Sequence, residues 1–151
     1  MGTALAQIIT DFEARHRVSL PVEYRDYLLS HGGTMPKKVS SLDEWCQPYD
    51  EEELSSDFLA LPFPHVVTWN DTALYDVKLG WKSQYYSTSY FAGSIRFENL
   101  GCEEYALLVV TGNERGRVWI DARASKNAGI YPVVKANGHR VSFREYIEMS
   151  E

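Results

Sequence analysis

Four histidines, two cysteines and 21 carboxylates are the residues of this chain best suited to chemistry. His16, His31, His65 and His139 are scattered, and no two of them stand at i+2, i+3 or i+4. Neither Cys46 nor Cys102 lies within short spacing of a histidine or of the other cysteine. Structural zinc is held by close pairs such as C-x-x-C, so the spacing suggests no metal centre and no cofactor is expected. Cys102, His139 and Asp121 can be written as nucleophile, base and orienter, but nothing local favours that set over other combinations. Gly112-x-x-x-Gly116 lacks the Lys-Ser/Thr ending of a phosphate loop and stands between two strand-like runs, so it reads as a hairpin turn. There is no G-x-G-x-x-G, G-x-S-x-G or H-E-x-x-H. Two acids flanking a glycosidic bond cannot be picked from 21 by sequence.

Two features suit binding better than catalysis. The acid run Asp50, Glu51, Glu52 and Glu53 is either a solvated loop or a docking patch whose field steers a basic partner. If it docks, reversing Glu51, Glu52 and Glu53 to Lys slows association most at low salt. The second feature is the segment Trp81 to Phe91, WKSQYYSTSYF, with five aromatics in eleven residues. One reading is core, with Trp81 or Phe91 buried. The other is a binding surface, in which Tyr85, Tyr86 and Tyr90 meet a partner, since Tyr and Trp dominate interface hot spots. Loss of Tyr85 or Tyr86 speeds dissociation only if those rings are exposed. Base stacking needs a basic groove, and Lys78 and Lys82 are the only basic residues apart from histidine in this region.

The elements that must position these residues follow from periodicity. Leu5, Ile8, Ile9 and Phe12 recur at i, i+3, i+4 and i+7, which predicts an amphipathic helix with Thr3 as its N-cap. Leu20-Pro21 opens a second helix, with Leu20, Tyr24, Tyr27 and Leu28 as its inner stripe and His31-Gly32-Gly33 as its stop. Residues 34–92 are rich in proline and aromatics and predict an irregular stretch. Ile95 and Phe97 alternate with Arg96 and Glu98, as on a strand with one wet face. The apolar run Tyr105 to Val110 suits a central strand covered on both faces. With Arg117 to Asp121 it forms a predicted hairpin. Pro132 holds a further strand at Ile130 to Val134 to a sheet edge. Ser142-x-x-Glu145 is a capping box, Val141 and Tyr146 are its hydrophobic staple, and a closing helix from about 143 to 150 follows. The predicted fold is α+β: a mainly antiparallel twisted sheet flanked by N-terminal helices and a short C-terminal helix, in one domain over 1–151.

Charge and composition narrow the classes further. With 15 Lys plus Arg against 21 Asp plus Glu the net charge is −6, which disfavours nucleic acid and favours a basic partner. No apolar run is long enough to span a bilayer, so no membrane partner is expected. The first residues carry acids and lack a basic start with an apolar stretch, so no secretory signal is expected. Two cysteines make no disulfide framework, and a reducing, cytoplasmic setting fits.

The pattern Leu20-Pro21-x-x-Tyr24-x-x-Tyr27-Leu28, running into Gly32-Gly33, resembles the LPxxYxxFLxxxNGG signature of the SUKH superfamily. This is the group built around the Smi/Knr-type cell-wall regulator domain of fungi and its bacterial relatives. Ile95 to Asn99, Gly101, the apolar strand, Gly112, Gly116, Val118 and Trp119 are similar to its downstream pattern. Val141-Ser142-Phe143-x-Glu145-Tyr146-Ile147 resembles its closing helix. The resemblance spans residues 3–149, with 34–92 contributing little. His31 stands where the family often has asparagine, a departure that bears on the helix end. The resemblance implies an α+β domain without enzymatic activity, acting as an immunity protein that binds and neutralises a cognate protein toxin, often a nuclease. Two alternatives stay open: a regulatory or scaffolding domain with a cellular partner, and a small carbohydrate-binding or hydrolytic protein using the aromatic segment.

Overall fold

A computed structural model describes residues 2–31, 57–126 and 128–150. The run from Tyr105 to Val110 lies at the centre of it. Four strands, β1 (Ser94–Gly101), β2 (Glu104–Val109), β3 (Val118–Asp121) and β4 (Ile130–Pro132), form one sheet in the order β1-β2-β3-β4. Every neighbouring pair is antiparallel. Leu107 stands opposite Trp119 and Leu108 opposite Val118, so the predicted hairpin forms the middle of the sheet. Both leucines are fully buried, which is why the run is apolar at consecutive positions and not at alternate ones. Pro132 has no N–H to give and sits in the edge strand.

Helices α1 (Gly2–His16), α2 (Val22–Ser30) and α4 (Phe143–Ser150) carry apolar stripes into the same core, and a short α3 (Arg123–Lys126) follows β3. On α1 the inward stripe is Ile9 and Phe12 with Leu5 packed against them, while Ile8 is 55% exposed. The helix starts at Gly2, so Thr3 stands within its first turn and not ahead of it. Pro21 precedes the first helical residue of α2 instead of being it; its fixed φ and lone carbonyl suit that place, and the carbonyl accepts from the N–H groups of Tyr24 and Arg25. Leu20, Tyr24 and Leu28 are buried, and Tyr27 is half-buried.

The start of α4 shows how closely this end of the chain is specified. The Ser142 hydroxyl accepts from the Glu145 N–H at 3.3 Å, and the Glu145 carboxylate accepts from the Ser142 N–H at 2.9 Å, completing the capping box. The Phe143 N–H donates to the Gly116 carbonyl, and the Arg144 N–H donates to the Glu23 carboxylate. The first-turn donors, which no helix can satisfy internally, are thus each paired.

The alternation along β1 does not give a wet face. Arg96 and Glu98 are both buried. The ladder skips a residue between Arg96 and Glu98, and such a bulge re-aims the side chain that follows it. Phe97 and Glu98 therefore both meet α4: Phe97 packs edge-on against Phe143 and Tyr146, and the Tyr146 hydroxyl donates to Glu98. Arg96 stays on the opposite face, where its guanidinium lies over the rings of Phe91 and Tyr105.

That opposite face is covered by residues 57–91, a layer of turns and short 3-10 helices. Phe63 and His65 pack on Trp119, and Phe58 on Phe91. The layer is stitched to the sheet through its backbone: Phe63 N–H to the Thr111 carbonyl, Gly93 N–H to the Phe58 carbonyl, and a reciprocal pair between Trp69 and Ile130 at 2.8 Å. Gly129 allows that last approach. Its φ is +77°, and a Cβ there would stand 2.0 Å from the Trp69 carbonyl oxygen.

Candidate partner-binding surface

A buried ion pair anchors the aromatic segment. Asp121 and Arg123 are both fully buried, and their side chains meet through two hydrogen bonds, at 3.0 Å and 2.9 Å. The same guanidinium donates to the carbonyls of Tyr85, at 3.0 Å, and Ser87, at 2.9 Å. Burying two charges is costly, and this pair offsets the cost by filling several donor and acceptor positions at once. The backbone of residues 84–91, folded into the 3-10 turns Gln84–Tyr86 and Thr88–Phe91, is thereby pinned to the sheet.

Side chains complete the platform. Trp69 stacks on Tyr90 at 4.2 Å and on Tyr85 at 5.5 Å. The Tyr85 hydroxyl donates to Asn70 Oδ1 at 2.6 Å, and burial pushes its pKa up to about 12, so it stays a neutral donor. His65 Nε2 lies 2.8 Å from the Tyr90 carbonyl, to which it donates. Burial lowers the His65 pKa, which favours the neutral ring.

Of the two readings of the segment, this geometry favours the core for Tyr85 and Tyr86. Tyr85 is fully buried and Tyr86 is 8% exposed, so neither ring meets a partner in this arrangement. Tyr90 is half-buried against Trp69. Phe91 is core, whereas Trp81 is 47% exposed. The acid run Asp50, Glu51, Glu52 and Glu53 lies outside the described residues.

The exposed part of the segment comes just before the tyrosines. Tyr75, Val77, Leu79 and Trp81 are 42%, 80%, 53% and 47% exposed, a concentration of large apolar groups within seven residues. The loop carrying them is clasped at its neck by the buried Ser83. The Asp76 N–H donates to the Ser83 hydroxyl at 2.9 Å, and that hydroxyl lies 2.7 Å from the Gly80 carbonyl. Tyr75 and Trp81 both lean on Tyr86, at 6.0 Å and 4.7 Å between ring centroids. Tyr86 thus supports the surface from beneath. Val77 and Leu79 are absent from the sequence reading. Their signal was the period-two spacing of Tyr75, Val77, Leu79 and Trp81, which resembles a strand and here belongs to a clasped loop.

Among the described residues, no group of three or more His, Cys, Asp or Glu is placed to hold a metal ion. His139 pairs with Glu145 and Asp121 with Arg123, which is not the hydrogen-bond chain of a nucleophilic triad. Cys102 is exposed in the β1–β2 turn. Among the described residues no helix is long and apolar enough to cross a membrane.

A four-stranded antiparallel sheet with helices on one face, an irregular aromatic layer on the other and an exposed apolar loop defines an α+β domain. Residues 3–137 match the family model of the SMI1 / KNR4 family (SUKH-1), and the chain belongs to that family. The match ends before α4. No curated protein and no solved structure matches the chain.

Proposed function

We propose that this chain is an immunity protein: a non-catalytic, cytoplasmic binding protein that neutralises a cognate toxin by direct contact. The observation that carries the reading is the loop with exposed Tyr75, Val77, Leu79 and Trp81, held on a rigid platform of buried rings in a member of the SMI1 / KNR4 family. Rigid aromatics lose little entropy on binding and supply most of the affinity where they are desolvated. Net charge −6 favours encounter with a basic protein, and a nuclease is basic because it binds phosphates. Inhibition is steric, with the immunity protein covering the toxin's active site. Co-expression tests the reading. The reading expects a toxin domain found encoded beside this gene to arrest growth when expressed alone, and growth to return when this protein is made with it. Arrest that persists with both proteins soluble and abundant contradicts it.

A further inference from the structure

Helices α2 and α4 pack against each other and leave a groove of about 350 Å³ between them. The buried Phe143 and Ile147 form its floor, and the half-buried Tyr27 lines it. Glu23, Asp26 and Glu148 bring three carboxylates to it, against the single guanidinium of Arg144. Tyr27 is fixed there twice over: its ring is edge-on to Phe143 at 5.4 Å and stacked on His31 at 4.0 Å.

Ion pairs engage only some of the acids among the described residues. Glu13 pairs with Arg25, Glu114 with Arg140, Asp121 with Arg123 and Glu145 with Lys135. Glu23, Asp26 and Glu148 form no ion pair with any described residue. Their negative charge faces a concave, partly apolar site, where low-dielectric walls strengthen the field on an incoming cation.

We propose that this groove takes an arginine- or lysine-bearing segment of a basic protein partner. The long side chains of such a segment lay their methylene stems against the half-buried Tyr27 and carry their charges to the carboxylates of Asp26, Glu148 and Glu23. The volume lies at the low end of the roughly 300–1,000 Å³ of ligand pockets, which suits a few side chains from a docked segment. The inference rests on the binding-protein reading above and names one place where the partner's charge is read.

The test uses the whole protein and two synthetic helical peptides, one alternating arginine with leucine along its length, the other with glutamate replacing arginine. Amide shifts are followed by NMR. The arginine peptide is expected to move the amides of residues 23–31 and 143–148, and the glutamate peptide to leave them still. The double variant Asp26→Lys/Glu148→Lys, both exposed positions, is expected to weaken the arginine peptide at least about tenfold at low salt. Asp71→Lys/Glu103→Lys makes the same change in net charge at exposed positions away from the groove and is expected to leave binding within about twofold. Equal weakening by the two pairs, shifts elsewhere on the surface, or no binding overturns the proposal. Growth rescue by the same variants separates the two ideas. Rescue lost by Asp26→Lys/Glu148→Lys and kept by the control supports the groove. Rescue kept by both overturns it while leaving the immunity reading intact. No rescue by the unmodified protein defeats the immunity reading itself.

Discussion

The Glu23 carboxylate on α2 accepts a hydrogen bond from the backbone N–H of Arg144 in the first turn of α4, at 3.2 Å and across 121 residues of sequence. A carboxylate at a helix N-terminus meets both an unsatisfied donor and the positive end of the helix dipole. The contact therefore helps fix where α4 starts and how it lies beside α2. It also ties together the two walls of the acid-rimmed groove.

The capping box gives the most direct stability prediction. Ser142→Ala removes the acceptor for the Glu145 N–H and lowers stability by about 0.5 to 2 kcal/mol. Urea unfolding followed by circular dichroism reads it as a lower midpoint with an unchanged slope. An unchanged midpoint would mean that the box does not hold α4.

Leu107→Ala empties a fully buried position between the two covered faces of the sheet and costs about 2 to 5 kcal/mol. The same substitution at Ile8, 55% exposed on α1, changes stability by less than about 0.5 kcal/mol. Measuring both distinguishes the observed core from the one that helical periodicity alone suggests.

Those two positions mark what sequence could and could not reveal. The central hairpin was legible because both faces of β2 are covered, so its apolar residues are consecutive. The closing helix was legible because its signals, Ser142, Glu145, Val141 and Tyr146, are local. Arg96 and Glu98 were misread because a bulge and a covering layer, both set by distant residues, turn an alternating strand into a buried one. Apart from the strand-like spacing at Tyr75 to Trp81, the 57–91 layer has no helical or strand period, since 3-10 turns and backbone stitching build it. Tyr85 and Tyr86 looked like a surface because the Arg123–Asp121 pair that draws their backbone inward lies more than 30 residues away. The groove joins residues near both ends of the chain and leaves no local pattern at all.

Asp121→Asn removes the charge that compensates Arg123 inside the fold. Stranding a buried cation is expected to cost about 3 to 5 kcal/mol. Because the guanidinium also holds the Tyr85 and Ser87 carbonyls, near-ultraviolet circular dichroism of the tyrosines and tryptophans should weaken in the same variant. A stable variant with an unchanged aromatic spectrum would show that the pair does not anchor the segment.

Two pH windows follow from burial and pairing. His65 has a lowered pKa in the fold because it is buried, so below its ordinary value of 6.5 the unfolded chain binds the proton first. Stability then falls as pH drops from about 7 to 5, and His65→Gln, which keeps a donor for the Tyr90 carbonyl, should flatten that fall. Glu145 is held at about 2 by Lys135, the Ser142 N–H and His139, against an ordinary 4.5. Its contribution is complete above 4.5 and is lost as pH falls toward 2, so Glu145→Gln should remove sensitivity in that lower window. Urea midpoints across both windows check the two signs separately.

Tyr75→Ala/Trp81→Ala truncates exposed rings. It should shift the unfolding midpoint little but shorten the lifetime of a partner complex, raising the dissociation rate more than about tenfold. Surface plasmon resonance gives the rate, and an unchanged value would remove the loop from the interface.

The central claim is that this protein silences a toxin by occupying it. The most direct test titrates the purified protein into the purified domain of a toxin found encoded beside its gene, with that toxin's own activity as the readout. The account predicts activity falling in proportion to added protein and ending at one equivalent, with the Tyr75→Ala/Trp81→Ala variant needing a large excess. Full toxin activity at saturating protein, whether or not the two bind, would contradict it.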